Sequence, residues 1–86
     1  MNSDYQREIG EFADAIQSRK QHSAKVSAQR LIEHAVRDRG TELRDAMRSK
    51  PQLSAFLTVA LSGAEALVGV EAVRELRNLS GIRSER

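Results

Sequence analysis

From Pro51 to Ala64 the chain reads PQLSAFLTVALSGA, fourteen residues without a single Lys, Arg, Asp or Glu. Charged residues make up 30% of the chain as a whole, so the contrast is sharp. This segment, continued past a lone Glu65 to Val70, is the part expected to leave water, either into a core or into an interface. A bilayer span needs about 20 apolar residues, and Gln52, Ser54, Thr58 and Ser62 dilute this run further. A buried helix is the expectation, and a membrane partner is not.

The size of the chain sharpens that requirement. Its 86 residues imply one domain, 1–86, which buries only about 60–65% of the surface its unfolded form exposes. Two Phe, one Tyr and no Trp make the core poor in large side chains, and the absence of Cys removes disulfides as a remedy. Association with a partner or a second copy therefore enters as an expectation. The first twenty residues include Asp4, Arg7, Glu8, Glu11, Asp14, Arg19 and Lys20 and hold no apolar stretch of the signal-peptide kind. A cytoplasmic protein is expected.

The pattern along the chain is helical throughout. Tyr5, Ile9, Phe12, Ala13 and Ile16 fall on one stripe of a helix over 4–20, with Ser3 as its cap. A second helix, 23–39, carries Ala24, Ala28, Leu31, Ile32, Ala35 and Val36 on its apolar side, with Ser23 as cap and a break near Gln21–Ser23. Gly40 is expected to end it in a left-handed conformation, and Thr41 to open a third helix with Leu43, Ala46 and Met47 inward. Pro51 closes that helix and starts the apolar one, since proline disfavours helical geometry in the residue before it and suits a first turn.

In the apolar helix, Leu53, Phe56, Leu57, Ala60, Leu61 and Ala64 recur at helical spacing, and Ala55 and Val59 widen the arc past half the circumference. Ser62 and Glu65 form an S-x-x-E pattern, which suggests a restart over 63–79 with Leu67, Val70, Val73, Leu76 and Leu79. One continuous helix over 51–79 is the alternative, at the cost of Glu71 in the core stripe. Residues 81–86 read as a frayed tail. The sum is an all-α bundle of four to five helices around a central apolar helix near 53–70.

Chemistry is sparsely provided for. His22 and His34 stand twelve residues apart, not at the i,i+4 spacing of helical zinc ligands, so no metal or other cofactor is expected. Asp38, four residues after His34, could pair with it. No serine lies in a G-x-S-x-G turn, and no phosphate loop is present. No catalytic residue emerges, and the chain is expected not to be an enzyme.

Two binding readings remain. Leu53, Phe56, Leu57, Ala60, Leu61, Ala64 and Leu67 form the expected core or self-association seam of an interaction module, an adaptor or inhibitor of a larger protein. Alternatively, the basic cluster Arg19, Lys20, Lys25, Arg30 and Arg37 contacts a protein or nucleic acid. Residues 17–39 hold six basic against two acidic side chains, but no aromatic interleaves them to stack on bases.

Overall fold

The computed structural model describes residues 2–82. Six helices follow one another: α1 (Asn2–Gln17), α2 (Gln21–Val36), α3 (Thr41–Ser49), α4 (Pro51–Ser62), α5 (Glu65–Val68) and α6 (Val70–Ser80). They form a small all-helical bundle with a radius of gyration of 11.3 Å. No helix among the described residues is long and apolar enough to cross a membrane.

The core is built from every helix except the one-turn α5. Tyr5, Ile9 and Phe12 of α1 meet Leu31 and Ala35 of α2, Leu43 of α3, Leu57 and Leu61 of α4, and Val73 and Leu76 of α6, all fully or almost fully buried. α1 packs on both α2 and α4, whereas α6 covers α2 and α3. The α1 stripe is accordingly wider than its sequence pattern. Ala15, unmarked by that pattern, is buried, while Ala13 and Ile16 sit half-buried at the α4 edge.

Several boundaries differ from the sequence expectation, each for a local reason. α1 already includes Ser3, so Ser3 is not its cap, and it ends at Gln17. There Arg19 adopts φ 58, its N–H donates to the Ile16 carbonyl, and Lys20 N–H donates to Ala15. This is the pair of reversed bonds that closes a helix with a left-handed residue, a place where glycine is usual. The break thus precedes Gln21–Ser23, and Ser23 lies inside the first turn of α2.

α2 ends the same way. Arg39 (φ 60) donates to Val36, and Gly40 donates to Ala35. Gly40 is left-handed as expected, with φ 82, but it also starts α3, whose capping comes from Asp38 and not from Thr41. The Asp38 carboxylate accepts from Gly40 N–H at 3.2 Å and from Glu42 N–H at 3.0 Å. An acidic group here also suits the positive end of the α3 dipole.

The segment after Pro51 is neither one helix nor two. α4 stops at Ser62, whose hydroxyl donates back to the Val59 carbonyl instead of capping α5. Gly69, at φ 96 and ψ 156, then separates α5 from α6. Only glycine adopts that extended mirror conformation freely. Gly81 ends α6 in the left-handed region, and Ile82 still packs against the core. Of the segment read as a frayed tail, 83–86 lie outside the described residues.

Around the α2–α3 turn the chain closes on itself. The Arg44 guanidinium donates to the carbonyls of Arg39 (3.1 Å) and Leu79 (3.2 Å), tying the end of α6 to the turn. Gly40 is buried against the same Leu79 carbonyl.

Candidate interaction surface

The residues of the expected seam separate into two groups. Leu53, Leu57, Ala60, Leu61 and Ala64 are buried in the core. Leu67 is only half-buried. Phe56 lies outside the core: 53% of it is exposed, and Val59 beside it is 71% exposed. α4 is therefore covered on one side, by α1 and α3, and bare on the other. Its wide apolar arc exceeds what the bundle can cover.

Phe56, Val59 and Ala60 form one wall of a groove of about 420 Å³, and Ala13, Ile16 and Gln17 of α1 form the other. None of these six residues is charged. Nor is any residue of α4, including the exposed Gln52, Ala55, Thr58 and Ser62. A helix face in contact with water normally carries charge, so this one combines an apolar ridge, an adjoining groove and no electrostatic barrier to a neighbour.

The basic residues are arranged differently. Arg19, Lys20, Lys25, Arg30 and Arg37 are all exposed, and Arg30 is shared by two grooves that bring Lys20 and Arg37 to either side of it. Arg19 serves as the left-handed end of α1. Lys20 and Arg30 line a groove of about 390 Å³ together with Glu11 and Asp14. Arg30 and Arg37 border a second one together with Glu8, Glu33 and His34. Lys25, five residues from Arg30, lies about 140° away around α2. Carboxylates sit between the cations, which weakens the field a polyanion would follow.

The α1–α2 seam holds a second polar cluster. The His34 ring stacks on Tyr5 with centroids 4.5 Å apart and planes 20° from parallel. His34 Nδ1–H donates to Glu8 Oε1 at 3.1 Å, so its partner is Glu8 of α1 and not Asp38, which is engaged in capping α3. No group of three or more His, Cys, Asp or Glu suited to a metal occurs among the described residues.

Burial, and then the carboxylates of Asp38, Glu42 and Glu8, push the Tyr5 phenol up to about 12, with Arg37 opposing. The fold holds the neutral phenol, so this contribution to stability is complete below pH 10 and is lost as pH rises toward 12. Alkaline denaturation should steepen across that window, and Tyr5→Phe should remove that part of the pH dependence. With one Tyr and no Trp in the chain, tyrosinate absorbance reads the site directly. A midpoint near 10 in the folded protein would contradict a buried ring.

No protein-family model matches the sequence, and neither curated proteins nor solved structures show a similar chain. The fold and its surfaces must speak for the function.

Proposed function

We propose that the protein is a small non-enzymatic interaction module, an adaptor or inhibitor that occupies a surface of another protein chain through the face shared by α1 and α4. One observation carries this reading: Phe56 and Val59 stand out of a fold that buries most of its other large apolar side chains, on a helix without charge. Aromatic residues placed this way are the usual anchors of interfaces.

Magnitudes set the kind of binding. Covering the exposed parts of Phe56 and Val59 removes roughly 200 Å² of apolar surface, or about 5 kcal/mol gross. Lost translational and rotational freedom costs at least about 4 kcal/mol. The two anchors alone break even, so the surrounding Ala13, Ile16, Gln52 and Ala55 must be covered too. Binding is then reversible rather than permanent. The nucleic-acid reading draws less support, because Glu8, Glu11, Asp14 and Glu33 lie among the arginines and lysines it needs.

A photoreactive phenylalanine analogue at Val59, compared with the same analogue at Arg74 on the exposed side of α6, tests the reading in cells. Defined protein adducts are expected from position 59 alone. No adduct at 59, or the same adducts from both positions, would remove the reason to regard this face as a binding surface.

A further inference from the structure

We infer that the charge-free α1–α4 face is a two-fold self-association surface, on which Phe56 of each copy fills the groove of the other. The inference rests on the interaction-module reading above and names its partner as a second copy of this chain. An isologous interface must be complementary to itself, because a two-fold axis brings the same patch of both copies together. That requires a projection and a recess side by side, and this face has both. Phe56 projects with half its surface exposed, and the groove flanking it, of about 420 Å³, accepts a phenyl ring against Ala13 and Ala60.

The second requirement is electrostatic. A two-fold axis sets a charge near the axis close to its own image and presents a patch to a copy of the same net charge, so a patch with net charge repels its copy. The α4 face meets the condition by having no charges. The α1–α2 grooves do not offer the same neutrality residue by residue, since carboxylates and cations alternate there. Antiparallel pairing of α4 with its copy also opposes the two helix dipoles.

Size sets the strength. A standard interface covers about 800 Å² per partner, roughly one seventh of the 5774 Å² this chain exposes. α4 spans about 18 Å along its axis, and with the α1 edge it gives a contact below that standard size. A reversible dimer with a dissociation constant in the micromolar range is the expected strength.

Sedimentation equilibrium of the full chain, from about 1 μM to about 1 mM, tests this directly. The wild type is expected to pass from monomer to dimer. Phe56→Asp should raise the dissociation constant at least tenfold while leaving helicity intact, because position 56 is exposed in the monomer. A monomer at every concentration overturns the inference, and so does a dimer that Phe56→Asp leaves unchanged. If the chain stays monomeric but position 59 cross-links to a different protein, self-association falls and the interaction-module reading stands. If it stays monomeric and position 59 gives no adduct, both fall.

Discussion

Gly40→Ala is expected to lower Tm by about 15 °C or more, the largest effect of a methyl added at any of the glycines. Two costs combine. At φ 82 an alanine pays about 1–2 kcal/mol for the left-handed conformation. Its Cβ would also overlap the Leu79 carbonyl oxygen and stand 2.9 Å from the carbonyl carbon. Those atoms are backbone, at the end of α6, and cannot rotate aside as a side chain would. Relief requires separating α6 from the α2–α3 turn, which also breaks the bond from Arg44 to Leu79. The total exceeds about 3 kcal/mol, a large share of the roughly 4–13 kcal/mol that a domain of this length has available.

Gly10→Ala is the control. Its Cβ would meet nothing within 4 Å, so it should stabilise α1 by up to about 1 kcal/mol. Thermal melts of the three proteins, followed by circular dichroism, check both signs. A Gly40→Ala melt within about 3 °C of wild type would mean that α6 does not close against the turn.

The two phenylalanines provide the second large effect, because the fold treats them oppositely. Phe12 has no exposed surface, while Phe56 is 53% exposed. Phe12→Ala should cost about 3–5 kcal/mol, since it removes a ring from the centre of the core and leaves a cavity that its neighbours fill only in part. Phe56→Ala should cost about 0.5 kcal/mol or less. Denaturant titrations at protein concentrations well below the dissociation constant, where association contributes little, measure both values. Equal losses at the two positions would show that α4 is covered on both sides, and would remove the basis of the proposed surface.

The all-helical class was legible from periodicity, and so was most of the core. Leu53, Leu57, Leu61, Leu31 and Leu76 announce themselves by spacing. Spacing assigns Phe56 to a core or self-association seam without choosing between them, because it reports which residues could share an apolar face, not how much of that face the other helices are long enough to cover. α4 has apolar residues around most of its circumference, and α1 and α3 reach only one side of it.

The helix ends were harder, for a different reason. Arg19 and Arg39 occupy left-handed positions where glycine is the usual signal. Nothing in their identity marks a stop. Gly69 did carry a signal, a glycine inside a helical pattern, and it proved to divide α5 from α6. Asp38 caps α3 from two residues ahead of the formal cap, a reach that the short-range S/T/D/N rule does not describe. Among the basic residues near in sequence, Arg30 and Arg37 share a face because seven residues make almost two full turns, whereas Lys25 is turned about 140° away from Arg30.

The contact of Gly40 with Leu79 also has a consequence in time. About forty residues separate the turn from the carbonyl that covers it, and α2 and α3 both wait for α6 to arrive. At ordinary synthesis rates of about 5–20 residues per second, that interval lasts roughly two to eight seconds. Throughout it, the sides of Leu31, Ala35 and Leu43 meant for α6 have no cover. The nascent chain therefore passes through a stage with an open apolar cleft at the turn, and helper proteins that bind exposed nonpolar segments have a defined window in which to find it.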